Sequence, residues 1–232
     1  MRSPFRGFHS LVLALFGTLA YRLLLLSPDW AREPQYGVYV FPSVVAILWL
    51  LFSSSRAISD KLLEWLPSVR RAFAGSKHIE GDWPLVVVQA STGTPIYYGF
   101  MTIGFRDGQY EVKGHDWHPD GRHALDFKSM QTYQDHPTLH YWYRQGTEGR
   151  QRGYTFIEFF PKEEKSPKRH TGVFHDKEHL DVRFYSKKIT YDWFKPHLKG
   201  MEPRRLAAKA FFDEIAPQLP QLVQRSVDAD WG

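Results

Sequence analysis

The sequence predicts a two-helix transmembrane hairpin followed by an all-β domain, an antiparallel eight-stranded up-and-down barrel with a C-terminal helix. Three observations carry that prediction. Two long apolar runs open the chain, at 8–26 and 37–55. From residue 76 the pattern changes to short segments rich in Val, Ile, Thr and aromatic residues, separated by Gly, Pro and Asp clusters. Aromatic residues make up 16% of the 232 residues, which suits strands better than a helical bundle.

The first run, FHSLVLALFGTLAYRLLLL, has about the ~20 residues a helix needs to cross a hydrocarbon core. Its polar exceptions, His9 and Arg22, lie near its ends, where a long side chain reaches the headgroups. The second run carries no charge, with Pro42 in its first turns. A cleaved signal peptide fits less well, because the apolar stretch is long, lacks a small-x-small site and is followed by a second span. Arg2 and Arg6 precede the pair, Arg56, Lys61, Arg70 and Arg71 follow it, and the loop holds only Arg32. By the positive-inside rule both termini and the barrel are expected in the cytoplasm, on a bacterial inner membrane. Residues 56–75 then place Ile58, Leu62, Trp65, Leu66, Val69 and Phe73 at helical spacing, as an amphipathic connector.

The β domain is expected over 76–190, with strands at 78–90, 96–105, 109–117, 123–134, 138–145, 152–161, 169–176 and 179–187. STGTP, RDGQ, HPDGR, DHP and GTEGR supply turns between them. An open meander of that length would expose its edges, so closure into a small barrel is expected. The segment 201–226 starts with Pro203 near a helix start and sets Leu206, Ala210, Phe211 and Ile215 on one face. It should pack on the barrel or plug one end.

Composition removes several functions. With no Cys, disulfides, thiolate zinc sites and cysteine nucleophiles are excluded. The net charge of +5 suits an anionic partner, but basic membrane flanks account for it equally well. No Gly-x-Ser-x-Gly elbow, Walker loop or GxGxxG occurs, so no enzymatic activity and no cofactor are expected. His115 with His118 and His175 with His179 fall in or beside turns without an HExxH helix, and no metal site is expected from them.

The paired N-terminal helices, the connector and the IEGDW opening of the strand meander, Ile79 to Trp83, together resemble the two-transmembrane β-barrel effectors of bacterial CBASS antiphage systems, the S-2TMβ type. Gly81-Asp82-Trp83 is similar to the Gly-x-Trp that begins lipocalin-like and fatty-acid-binding-protein-like barrels. The resemblance implies a barrel that binds a cyclic dinucleotide made by a partner nucleotidyltransferase, then oligomerises and disrupts the membrane, ending in abortive infection. No DNA or RNA polymer is an expected partner. A membrane-tethered barrel that senses a fatty acid or other lipid is the alternative.

A cyclic dinucleotide needs donors for its phosphates and aromatic faces for its bases. Trp83 points inward in barrels of the Gly-x-Trp kind, and alternation adds Leu85 and Val87. Residues two or four apart share a strand face: Tyr98 with Thr102, Ser129 with Gln131, Tyr141 with Tyr143, Arg152 with Tyr154, and Arg183 with Tyr185. With Trp83, these are the expected ligand-binding residues. Leu139-His140-Tyr141-Trp142-Tyr143 is apolar on both faces, so alternation is a poor guide there.

Overall fold

The structure, a computed structural model, describes residues 6–25, 34–75, 78–146, 151–160, 168–175, 182–189 and 198–224. It divides into two compact units, 1–74 and 75–232.

The first unit is helical: α1 (Arg6–Leu25), α2 (Pro34–Trp65) and α3 (Pro67–Ala74). The expected transmembrane hairpin is overturned, since among the described residues no helix is long and apolar enough to cross a membrane. Charged and polar residues lie near the ends of the first run and, in the same helix, beyond the end of the second. Helix α1 carries His9 near its start and Arg22 in its last turn, and α2 runs without a break from the second apolar run into Asp60, Lys61 and Glu64. The expected inner-membrane location, with cytoplasmic termini and lipid as a partner, falls with the hairpin, because it was inferred from the charges flanking it. Residues 26–33 of the expected external turn lie outside the described residues. The expected connector is not a separate element either: its first half continues α2, and Pro67 restarts the chain as α3.

Specific polar contacts organise this unit. His9 bonds Ser59 through Nδ1 and Oγ, and its Nε2 lies 3.6 Å from Asp60 Oδ1. Buried Arg70 donates to the carbonyls of Leu63 and Glu64, two of the groups that the end of α2 leaves without helical partners. Phe8 meets Phe73 edge to face at 5.2 Å.

The second unit contains the barrel: β1 (Gly81–Gln89), β2 (Pro95–Arg106), β3 (Gln109–Trp117), β4 (His123–Asp135), β5 (Thr138–Gln145), β6 (Gln151–Phe160), β7 (Arg169–His175) and β8 (Val182–Lys187). Each strand pairs antiparallel with the next, and β1 pairs with β8, which closes the ring. The β2–β3 turn has positive φ at both Asp107 and Gly108, the two-residue geometry whose twist matches the flanking strands. β1 starts later than expected. Gly81 sits at φ 142°, and the preceding Ile79 is fully buried with its carbonyl accepting from Trp83 Nε1 at 3.2 Å. Residues 176–181, where the last two strands were expected to turn, lie outside the described residues.

After the barrel come α4 (Met201–Ile215), a 3₁₀ turn (Ala216–Gln218) and α5 (Leu219–Gln224). They cover the outer face of the barrel and do not plug an end. Phe211, Ile215, Leu219 and Leu222 pack on Val86, Val88 and Tyr185, while Ala208 packs with Tyr98, Phe100 and Trp117. The buried face of α4 is Ala208, Phe211 and Ile215, and Leu206 is exposed, so the expected apolar stripe is rotated.

Inside, Trp83, Leu85, Met101, Tyr141, Tyr143, Phe159 and Phe184 are all below 2% exposed. Room for the rings comes from glycines on neighbouring strands. A Cβ on Gly114 would stand 2.2 Å from the Phe127 ring, one on Gly153 2.3 Å from the Tyr143 hydroxyl, and one on Gly172 2.3 Å from the Phe184 ring. Each aromatic side chain therefore lies flat across a strand that has no side chain at that point.

Gly172→Ala should consequently lower stability by about 1–3 kcal/mol, the usual cost of overpacking a dense core. Gly104→Ala, with nothing within 4 Å of the added carbon, should stay within about 0.5 kcal/mol of the parent. Urea denaturation of the two variants measures both, and equal midpoints would show that the rings yield freely.

Candidate functional site

Closure of the ring assigns every strand residue to the lumen or to the outer wall. Trp83 pairs with Met101, Leu85 with Gly99 and Ser186, and Gly99 with Asp116. Those residues face inward, because their sequence neighbours Val86, Tyr98 and Tyr185 carry the external helices. By the same alternation, Tyr141, Tyr143 and Ser129 also face inward, with Ser129 paired to Tyr143.

Of the expected ligand residues, Trp83, Ser129, Tyr141 and Tyr143 therefore line the lumen, and the other seven do not. Tyr98 lies under α4 against Phe212, with ring centroids 5.7 Å apart. Thr102 is external, donating to Asp82 Oδ1 at 2.7 Å. Gln131 is separated from Ser129 by a bulge at Met130, which reverses the alternation and turns Gln131 outward opposite Trp142. Arg152 pairs with Arg144 and Tyr154 with Trp142, all on the outer wall. Arg183 and Tyr185 face outward too, and Tyr185 is covered by the C-terminal helices. The expected set is thus split between two surfaces.

The lumen is aromatic and aliphatic, with a few polar groups, of which Ser129 and Tyr141 were expected from the sequence and Asp116 and His170 were not. Ser129 Oγ accepts from the Val112 amide at 2.9 Å, and the Tyr141 hydroxyl points at Met101 Sδ, 3.9 Å away. Among the described residues, no Arg or Lys occupies an inward strand position. Lys188, one residue beyond β8, holds its ammonium 5.4 Å from the Trp83 ring centroid.

Two lumen groups are electrostatically costly. Asp116 is 3% exposed, and its Oδ1 has no hydrogen-bond partner among the described residues. Burial raises its pKa to about 8, and the nearby Asp126 charge adds to the rise. His170 lies against Trp83 at 4.7 Å, Phe159 at 5.3 Å and Phe184 at 5.5 Å, with neither ring nitrogen partnered among the described residues. Burial lowers its pKa to about 3, so the ring is neutral near pH 7. The lumen is closely packed and largely uncharged, a poor host for two phosphates.

The outer wall of β4, β5 and β6 differs in character. Tyr133, His140, Trp142, Tyr154 and Phe156 form a connected ring surface, with centroids 5.9 Å apart for Tyr133–His140, 4.9 Å for His140–Phe156 and 5.3 Å for Trp142–Tyr154. His140 Nδ1 and the Tyr154 hydroxyl share a hydrogen bond that ties two of these rings together. Partial burial raises the Tyr154 pKa and lowers that of His140, against the opposing pull of Asp135. Trp142 stays 44% exposed, and Arg144 and Arg152, directly opposite each other on adjacent strands, are exposed beside it. Arg152 and Tyr154 were singled out from sequence, whereas Trp142, Arg144 and His140 were not. The signal for them was Arg144 two places beyond Trp142, which puts a cation and an indole on one face.

The lumen charges set the pH dependence of stability. For Asp116 the folded pKa lies above the unfolded value of 3.8, so the folded state holds a proton that the unfolded state releases. Stability then falls by up to about 1.4 kcal/mol per pH unit as pH rises from about 4 to about 8. Asp116→Asn should remove that loss, gaining on the parent steadily across the interval. His170 acts at the other end: its folded pKa lies below the unfolded 6.5, so stability falls as pH drops from 6.5 toward 3. His170→Phe should flatten that acid limb alone. Chemical denaturation from pH 4 to pH 9 reads both, and variant curves parallel to the parent would contradict the burial argument.

No protein family matches the chain, and no curated protein matches it either. Among solved structures it is similar to a de novo designed fluorescence-activating β-barrel, at 13% identity and a TM-score of 0.37, over 49% of this chain and 96% of the designed one.

Proposed function

We propose that this protein is a nucleotide-sensing barrel whose ligand is a cyclic dinucleotide, bound on the outer wall across β5 and β6. The observation that carries the reading is Trp142 beside Tyr154 with Arg144 opposite Arg152 on one exposed face. Two adjacent rings suit the bases of such a ligand, since each stacked base contributes about 1–3 kcal/mol. Two guanidinium groups on neighbouring strands suit its phosphates, because Arg presents a planar fork to phosphate oxygens. A cyclic dinucleotide brings both chemistries within one compact ring.

This keeps the ligand that the effector resemblance implies and moves it from the lumen to the wall. The lipid alternative fits less well, because inward strand positions carry no cation, among the described residues, to hold a carboxylate. The second half of the proposal is self-association of the helical unit on ligand binding. Leu15, Trp49 and Leu50 are 60%, 70% and 60% exposed there, and a second copy of the chain is the occupant proposed for that apolar surface. A nucleotidyltransferase is the class of enzyme that must supply the ligand.

Calorimetry of the full chain against a panel of cyclic dinucleotides, with fatty acids as a second arm, tests the ligand. One dinucleotide should bind, Trp142→Ala and Arg152→Ala should each weaken it about tenfold or more, and Arg183→Ala should leave it unchanged. Sedimentation velocity should show a larger species only with that ligand present. Failure of every dinucleotide to bind, or full affinity in the Trp142 and Arg152 variants, would overturn the proposal.

A further inference from the structure

The strands β3 and β4 carry a second cluster on the outer wall. His115 and Asp126 are directly paired across the two strands, with His115 Nδ1 2.7 Å from Asp126 Oδ1. His123 Nε2 lies 2.8 Å from the same oxygen. Ordinary alternation would separate these groups. His123 and Asp126 are three residues apart, an odd spacing that puts side chains on opposite faces of a regular strand. Here Leu125 pairs with Asp116 and His123 with Trp117, so Ala124 is an extra residue that reverses the alternation between them. The irregularity brings His123 to the face that holds His115 and Asp126.

We propose that His115, His123 and Asp126 form a binding site for a divalent transition-metal ion of the zinc type. One ligand atom from each residue lies within 4.8 Å of the others, as an ion about 2.0–2.2 Å from each donor requires. Two imidazoles and one carboxylate select zinc, cobalt, nickel or iron over calcium and magnesium, which prefer oxygen-only shells. His115 Nδ1, His123 Nε2 and Asp126 Oδ1 are the donor atoms. In the bonded arrangement Asp126 Oδ1 faces Nδ1 of His115 and Nε2 of His123; to ligate an ion, each neutral ring presents the lone pair of that nitrogen and carries its proton on the opposite one. Backbone placement is set by adjacent strands of a closed sheet, so only side-chain rotation is needed to open the short contacts. All three side chains reach solvent, at 24%, 45% and 44% exposure, which gives the ion a direct path.

Three protein ligands leave at least one coordination position for water or another donor, as in open zinc sites. The site is distinct from the histidine pairs that spacing along the chain suggests. His118 follows β3 in the turn, with its ring against Tyr97 at 5.3 Å, and His123 takes the place that proximity in sequence would give it.

The test is a cobalt(II) titration of the full chain, read by visible absorption, with zinc equilibrium dialysis as the stoichiometric check. One equivalent should bind per chain, and zinc should raise the melting temperature with the logarithm of its concentration once that exceeds Kd. His123→Ala, an exposed change at the start of β4, should weaken binding at least about tenfold without lowering metal-free stability, as should His115→Gln and Asp126→Asn. His140→Ala, on the wall of β5, should leave binding unchanged. No bound cobalt, or binding that survives all three substitutions, would overturn the proposal and place any residual ion on other histidines.

Discussion

Five residue pairs between β1 and β8, from Leu85 with Ser186 to Gln89 with Val182, turn an eight-stranded meander into a ring. The rest of the second unit depends on that closure. An open sheet has two faces that packing can interchange, but a closed one has an inside and an outside, and each strand's alternation is committed to that choice. Closure also satisfies the edge hydrogen bonds of β1 and β8, which would otherwise invite pairing with other chains. The helices α4 and α5 then cover Val86, Val88, Phe100 and Tyr185, the apolar side chains that closure has put outside.

Committing aromatic residues to the lumen has a steric consequence and an electrostatic one. Rings of this size fit only because Gly114, Gly153 and Gly172 leave space on adjoining strands. The resulting density buries Asp116 and His170, and burial favours the neutral form of each. The outer wall meets the opposite condition: charged side chains there reach solvent. Trp142 with Arg144 and Arg152 occupies one part of the wall, and His115, His123 and Asp126 occupy another.

The bulges decide more about these surfaces than any single residue type. Met130 divides Ser129 from Gln131, and Ala124 brings His123 round to Asp126. Neither is visible as a motif, because a bulge is one extra residue in a run that still reads as continuous strand. The effector resemblance pointed to a ligand-binding lumen and strand alternation to pairs two or four residues apart, and each pair except Ser129 with Gln131 did keep a common face. Three of them, Tyr98 with Thr102, Arg152 with Tyr154 and Arg183 with Tyr185, share the outer one. Inward and outward are equivalent in the sequence of a strand that is apolar on both sides, such as β5.

The apolar runs near the N-terminus were misread for a related reason. Hydropathy taken over 37–55 alone stops where the run stops, but the helix does not: α2 continues to Trp65 through Asp60, Lys61 and Glu64, and its polar end meets His9 of α1. What the sequence by itself determined was local: eight strands, most of their bounds and the helical segments, because turn residues and β-branched or aromatic runs act over a few residues. Closure was expected from the edges an open meander would expose, but only the tertiary structure decided which faces form the lumen, the reversed alternation at Ala124 and Met130, and the extent of α2. Those depend on pairing between residues distant in the chain, which no local preference encodes.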